Sequence, residues 1–424
     1  MRIAVVGSGI AGLGAAHALA RSQDVTVFEA APRAGGHVHT VDVDGLSVDM
    51  GFIVCNRENY PHLFALFAEL GIDTRPTTMS FSVALPDLDL EWGSASLGAM
   101  FADRRRLADP RHWRMLARVV RFLSRARTDL ARGLDTHLSV DDYITLRGLA
   151  DLRETFLVPL TAALWSLAPD RCGAFPATTF LRFLDQHGML RAARPLAWRT
   201  VVGGSRRYVD ALLARRRFEL RLSTPVARID RDAHGVTVTA RRTSARFDRV
   251  LIATHANTAL AMLAAPTADE RRVLGAFRYS TNRTVLHRDR RFLPRRPAAH
   301  AAWNYVRDPD TSHVAVTYSM SRLQGLPDDP PYLVTLNPRT QPAHTIHEVT
   351  FEHPQLDAAA LRAQGELAGL GRAHRTYYAG AHVGFGFHED GLRSGLAAAA
   401  SAMADEHAGV ATEVRPADAR EVLA

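Results

Sequence analysis

Apolar and polar positions alternate in a pattern that predicts a mixed chain. Ile3 to Val6 is a short apolar run ending at Gly7, which reads as a buried parallel strand. Gly7 to Ala20 is rich in small residues and predicts a turn opening into a helix. Val25 to Phe28 predicts a second strand, ended by Glu29. Gly45 to Met50 predicts a further short strand, and Tyr60 to Leu70 a helix closed by Gly71. Residues 100–135 read as helical and Arg-rich. Residues 174–200 read as helical and then irregular, with Pro176 and Pro195. Val226 to Ile229 and Val236 to Ala240 predict paired strands around Ala233-His234-Gly235, with Pro225 placed where a strand start tolerates it. Val250 to Ala253 is another apolar strand, and residues 280–350 alternate strand-like runs with Pro-rich turns. Thr376 to Ala379 predicts a last strand, Asp390 to Ala404 a last Ala-rich helix, and the polar stretch after Val410 a frayed tail. The length suggests two lobes. The absence of repeats and linkers suggests a chain that crosses between them several times.

Gly7-x-Gly9-x-x-Gly12 follows the first strand and opens the first helix. The first glycine suits a tight turn, the second a close approach of backbone to a pyrophosphate, the third close helix–strand packing. A helix N-terminus offers free N–H groups and a positive dipole end to phosphates. Glu29 ends the second strand, where an acid binds both hydroxyls of an adenosine ribose and repels a 2′-phosphate. Together these predict a dinucleotide-binding turn, to which Ile10, Ala11 and Ala30 also contribute.

The segments beyond Glu29 separate FAD from NAD. Arg33-Ala-Gly35-Gly36-His37 comes next, then Asp49-Met-Gly51-Phe52. This resembles the amine-oxidase-like flavoprotein superfamily, in which the first motif continues as R-x-GG-R; here His37 replaces the last Arg. Tyr377-Tyr-Ala-Gly380 through Gly395 resembles the family's strand–Gly loop–helix over the flavin, with Ala381 in place of the usual Asp. Val202-Gly203-Gly204-Ser205 and Leu251 to His255 match two further family turns. Several blocks resemble one bacterial "predicted NAD/FAD-binding" subgroup: Gly51 to Pro61, Met79 to Val83, Leu164-Trp165-Ser166, Phe180 to Gly188, Trp303-Asn304-Tyr305, Val316 to Tyr318 and Gly384 to Gly391. Its members often accompany cyclopropane-fatty-acid-synthase-like methyltransferases.

The resemblance implies an α/β fold. A Rossmann-like FAD lobe of the amine oxidase and glutathione reductase type (1–78, 201–262, 365–410) would interleave with an α+β substrate lobe on a mixed sheet (79–200, 263–364), and 411–424 would be a flexible tail. It implies non-covalent FAD held by Gly7, Gly9, Ile10, Ala11, Gly12, Glu29, Ala30, Arg33, Gly35, Gly36, His37, Gly51, Phe52, Val226, Gly380, Phe387, Glu389 and Asp390. It implies a pocket from Asn56, Tyr60, Phe81, Trp165, Trp303 and Tyr305. For each aromatic, plain core packing competes with a pocket role, and for Asn56 and Tyr60 loop capping does. His388, Glu389, His382 and Tyr318 are the candidate catalytic residues, with a backbone-held loop histidine as the competing reading of each His.

Composition changes this picture in three ways. The chain contains no lysine, so its 52 basic residues are all arginine. The water-bridged lysine that many amine-type oxidases place near the flavin therefore has no counterpart, which turns the expectation toward dehydrogenating or isomerising a hydrophobic substrate such as a fatty acyl chain. A flavin amine oxidase and a non-catalytic flavin-binding partner of a lipid methyltransferase remain as alternatives. Second, Arg111, Arg114, Arg118, Arg121 and Arg125 recur on one helical face beside an apolar one. With a formal net charge of +8, that stripe reads either as a solvated face or as a peripheral contact with an anionic membrane. Third, there is no apolar run of roughly 18 residues, no leader-like stretch, no metal-ligand cluster and no nucleic-acid module. The expectation is a cytoplasmic protein, peripheral at most to the inner face of a membrane, without metal or nucleic acid.

Overall fold

The computed structural model describes residues 1–135, 137–165, 167, 169–190, 196–308 and 313–413, with side chains of the last helix described through Asp405. Ser166, Pro195 and residues 414–424 of the expected tail lie outside the described residues. The chain divides into two compact units: Met1–Gly36, Ala211–Arg278 and Ala359–Ala424 form one, His37–Asp210 and Tyr279–Ala358 the other. Segment 37–78, expected in the cofactor lobe, thus falls by compactness in the second unit.

The first unit is built on five parallel strands in the order Thr376–Tyr378, Arg249–Ile252, Arg2–Val6, Asp24–Phe28, Glu219–Arg221. Ile3, Ala4 and Val5 at its centre are fully buried, as a parallel sheet covered on both faces requires. The helix Ile10–Leu19 packs on the last helix, His388–Glu413, through small residues. A Cβ on Gly14 would overlap Leu392, and one on Gly395 would overlap the Ala11 carbonyl. Val226–Asp232, Gly235–Ala240 and Thr243–Phe247 form a separate antiparallel sheet.

The second unit carries a seven-stranded sheet in the order Thr345–Gln355, Arg278–His287, Leu333–Leu336, Val314–Ser319, Trp303–Arg307, Phe81–Leu85, Leu90–Gly93. Trp303–Arg307 runs antiparallel to Val314–Ser319 and parallel to Phe81–Leu85, so the sheet is mixed. Val48, Met50, Leu286, Met320, Val334 and Phe351 form a core cluster within this unit. The stretch expected to be helical over 100–135 is interrupted. A short helix, Leu97–Met100, and a 3₁₀ turn, Arg104–Ala108, precede the long helix Pro110–Ala131. Pro110 lacks an N–H to donate and restarts the helix at its first position, with the Asp109 side chain accepting from the Arg111 amide.

Candidate functional site

In the first unit the glycine turn is shaped by contacts a side chain would forbid. Gly7 has φ +101°, and a Cβ there would sit 2.7 Å from the Ala253 carbonyl; a Cβ on Gly12 would overlap the Gly7 carbonyl. A Cβ on Gly9 would meet nothing within 4 Å. Gly9 is also the N-cap of the helix and places no side chain over its first turn, which leaves the amides there without a side-chain cap. Ile10 and Ala11 are buried, against Gly391 and Gly395, and bring only backbone to that space. The Glu29 carboxylate accepts from the Ser8 amide (2.8 Å), the Ser8 hydroxyl (2.6 Å) and the Ala31 amide (2.8 Å). It is thereby fixed beside the turn with acceptor capacity left for hydroxyl donors. Ser8 was missed in the sequence because it occupies a variable position of the motif. Ala30 is exposed beyond the strand end. The Gly35 amide donates to the Ser8 carbonyl (2.9 Å), and Arg33 donates to the Gly36 carbonyl (2.9 Å). Burial lowers the Arg33 guanidinium pKa, and Glu29 pulls the other way. Val226 lies on the separate antiparallel sheet, paired with Ala240.

The C-terminal loop of the same unit is held by side chains that bond its backbone. Ser394 accepts from the Gly380 amide (2.9 Å) and donates back toward the Gly380 and Gly391 carbonyls. Asp390 accepts from the Phe385 and Phe387 amides (3.0 Å each) and from Arg393, so its carboxylate ties the loop together. Burial nonetheless raises its pKa. Gln364 donates to the His382 and Gly384 carbonyls. His382 is buried, edge-on to Phe277 at 4.9 Å. Burial pushes its pKa down to about 3, with His255 adding in the same direction. His388 opens the last helix and is likewise pushed down to about 3 by burial. Glu389 follows it, buried. This loop therefore brings three of the four candidate catalytic residues together, and both histidines are uncharged at neutral pH.

In the second unit, His37 stacks on Phe351 (4.9 Å between centroids) and lies 5.6 Å from His353. The close approach of Gly51 to the His37 carbonyl leaves no room for a Cβ, and the Phe52 amide donates to that carbonyl (3.1 Å). Asp49, two residues earlier, is fully buried. It accepts from Thr40 (2.5 Å), from the Ser205 amide (2.9 Å) and hydroxyl (2.8 Å) and from Gln324 (3.0 Å). Burial outweighs these donors and raises its pKa to about 6.

The aromatic candidates divide. Trp165 is buried among Phe175, Phe180 and Phe183, and Tyr305 is buried on the sheet. Phe81 is edge-on to Trp92. Tyr60 caps the Pro61–Leu70 helix near Phe52. Trp303 is edge-on to Tyr318 at 5.1 Å, and both lie partly buried with Ile53, Val54 and Met79 against the core cluster. Burial raises the Tyr318 pKa. Asn56 accepts from the Asn59 amide (2.9 Å). Its side-chain N–H₂ and the Trp303 indole N–H are buried with no hydrogen-bond partner among the described residues.

A profile of the flavin containing amine oxidoreductase family matches residues 10–340. The chain belongs to that family. It is similar to the "Putative flavin-containing monoamine oxidase AofH" of Mycobacterium tuberculosis strain CDC 1551, 29% identical over 272 residues. The match covers 59% of this chain and 56% of the relative, so the chain spans about half the length of that curated protein. Two solved structures share the fold. A CLA-producing fatty acid isomerase from P. acnes superposes with TM-score 0.69 at 18% identity, covering 96% of this chain and 98% of that one. A putrescine oxidase bound to putrescine superposes with TM-score 0.66 at 15% identity, covering 95% and 99%. The cofactor of this family is FAD, and the first unit fits it. The uncapped helix start, the space over Gly9 and the fixed Glu29 carboxylate are what a pyrophosphate and a ribose diol require.

Proposed function

We propose that the protein is an FAD-dependent oxidoreductase that dehydrogenates, or shifts a double bond in, a hydrophobic substrate such as a fatty acyl chain. The observation that carries this reading is that the histidines of the C-terminal loop are uncharged and have no lysine beside them. His382 and His388 are neutral at physiological pH, and the chain has no lysine to set beside them. An amine substrate finds no lysine there to relay its proton, and the loop carboxylate of Asp390 is already engaged by the Phe385 and Phe387 amides and Arg393. Bound FAD would supply hydride acceptance and, for a double-bond shift, hydride return. The chain's residues would do the rest: the Gly7–Gly12 turn and Glu29 would hold the nucleotide, and the Gly380–Gly391 loop would contribute to the flavin site. Histidines with pKa near 3 are weak bases at neutral pH, so they act as neutral hydrogen-bonding groups and the substrate proton leaves to water.

The second unit supports an acyl substrate with a polar end. Asn56 and Trp303 leave buried donors without partners, an arrangement that costs roughly 1–3 kcal/mol per group unless a ligand fills it. A carboxylate or ester carbonyl would satisfy either one, and Ile53, Val54 and Met79 supply apolar surface. The solved relative named a fatty acid isomerase agrees with this reading; amine oxidation is the second reading, favoured by the relative named a monoamine oxidase.

The test is an anaerobic visible-absorbance titration of the flavin, first with unsaturated free fatty acids and phospholipids, then with amines. Product analysis by gas chromatography accompanies it, since an isomerisation leaves no net bleaching. Bleaching or a moved double bond with lipid is the expected result, and Trp303→Phe should raise KM for that lipid. Bleaching by amines alone would replace the substrate class. Retained FAD that nothing reduces and no product from any lipid would remove the catalytic reading in favour of a binding role.

A further inference from the structure

The Pro110–Ala131 helix carries arginines with no counter-charge. Arg118 is taken by Asp151, Arg106 by Asp109 and Arg105 by Asp103. Arg111 lies close enough to Asp109 to lower its pKa. Arg114, Arg121, Arg125 and Arg132 are exposed and have no acidic partner among the described residues. Spacings of seven, four and seven put all four on one line along the helix. The adjoining line is exposed and largely apolar: Trp113 is 51% and Val120 64% exposed, with Ala117 between them. Leu107 (49%), from the turn just before the helix, and Leu97 (76%), from the short helix preceding that turn, add further exposed apolar surface. The Trp113 indole donates to the Leu107 carbonyl (3.0 Å), which holds those two together. The opposite side of the helix is the packed one, through Phe122, Ala126 and His112. The arginine line ends at an open cleft of about 520 Å³ that Arg125, Arg132, Leu134, Leu138 and Leu146 line together with Asp129 and Asp135, the latter accepting from the His137 amide. Asp129 there is already engaged by Arg147 and Tyr143.

A solvated helix face needs no large exposed apolar side chains, and a protein-binding face would expose fewer uncompensated cations. Arginines flanking an exposed Trp and aliphatic residues are what an interfacial helix presents to lipid headgroups. We infer that this face docks the protein peripherally on an anionic phospholipid surface, the arginines meeting phosphates and Trp113, Leu107 and Leu97 entering the headgroup layer. No helix among the described residues is long and apolar enough to cross a membrane. No candidate catalytic residue lies on this face, so docking does not depend on which substrate the flavin serves.

The experiment is cosedimentation of the full FAD-loaded chain with vesicles of phosphatidylcholine alone or mixed with phosphatidylglycerol. Binding to the mixed vesicles only, weakened by salt, is expected. Arg114→Gln, Arg121→Gln and Arg125→Gln together should lower the partition coefficient on the order of 100-fold, from about a factor of five per arginine. Removing the same charge from exposed arginines of the first unit (Arg217→Gln, Arg242→Gln, Arg271→Gln) should lower it far less. Vesicle-induced blue shift of the tryptophan emission should diminish in Trp113→Phe. Flavin content reports that each variant is folded. No binding to the mixed vesicles, equal binding to neutral ones, equal effects of the two triple variants, or an emission shift unaltered in Trp113→Phe would each overturn the inference.

Discussion

Each unit contains a carboxylate that organises a glycine turn through a serine, and the two have different fates. Glu29 holds the amide and hydroxyl of Ser8, between Gly7 and Gly9. Asp49 holds the amide and hydroxyl of Ser205, just after Gly203 and Gly204. Glu29 is partly exposed and keeps acceptor capacity beside open space. Asp49 is sealed in, uses its oxygens on Thr40, Ser205 and Gln324, and is driven toward its neutral form. The same local device can therefore present a ligand site or close a structural joint. What decides is whether the donors around the carboxylate exhaust it.

The largest way to break this comparison is at the glycines. Gly12→Ala drives a methyl into a backbone carbonyl that cannot step aside. It should weaken FAD retention by about 3 kcal/mol or more, read as the flavin-to-protein absorbance ratio after dialysis. Gly204→Ala meets the Thr40 methyl at 2.7 Å and a left-handed φ of +86°. It should lower the unfolding free energy by about 1–2 kcal/mol while leaving that ratio unchanged. Equal flavin loss in both would erase the distinction between the turns.

Changing the carboxylates sharpens it. Glu29→Gln removes a charged acceptor and should weaken FAD binding by about 1.5–3 kcal/mol; its N–H₂ also meets the Ser8 or Ala31 donors, so the apoprotein loses some stability too, less than at Asp49 because Glu29 is partly exposed. Asp49→Asn turns an amide N–H₂ toward donors from Ser205 or Gln324 and should reverse that order, costing about 1–3 kcal/mol of stability. Denaturant midpoints and FAD titrations on the same two variants decide it.

The smallest effect is in pH. Asp49 has a folded pKa of about 6 against about 3.9 in an unfolded chain. Between those values the folded state holds the proton and the unfolded state does not, so this group's contribution falls as pH rises. The stability advantage of wild type over Asp49→Asn should shrink from about pH 4 to about pH 6, by at most about 1.4 kcal/mol per pH unit, and level off above. Buried His187 and His287, both lowered to about 4 by burial, act in the opposite sense. Their contribution is lost as pH falls below about 6.5. They are common to both proteins and cancel in the difference. A gap that widens with pH would refute the assignment.

Much of the first unit was legible because its constraints are local. Gly7, Gly9, Gly12 and Glu29 lie within one strand–helix–strand unit, and spacing alone says what each must do. The second unit was less legible because its joints close over distance. Nothing near Asp49 in the sequence announces Thr40, Ser205 and Gln324 as its partners. The sequence offers Trp165, Tyr305 and Trp303 equally as pocket candidates; only packing separates a residue inside an aromatic cluster from one with an unsatisfied N–H. Titration is also beyond sequence. His382 and His388 look like bases beside a flavin, and burial makes them neutral.

The two helices joined through Gly14, Gly391 and Gly395 belong to the beginning and the end of the described chain. The sheet beneath them is likewise completed only by Thr376–Tyr378. On a ribosome advancing at roughly 5–20 residues per second, the Gly7–Gly12 turn emerges early but lacks its neighbours until the last strand and helix have been made. FAD capture then waits for those later segments, and until they are made the strand Arg249–Ile252 carries an open apolar edge.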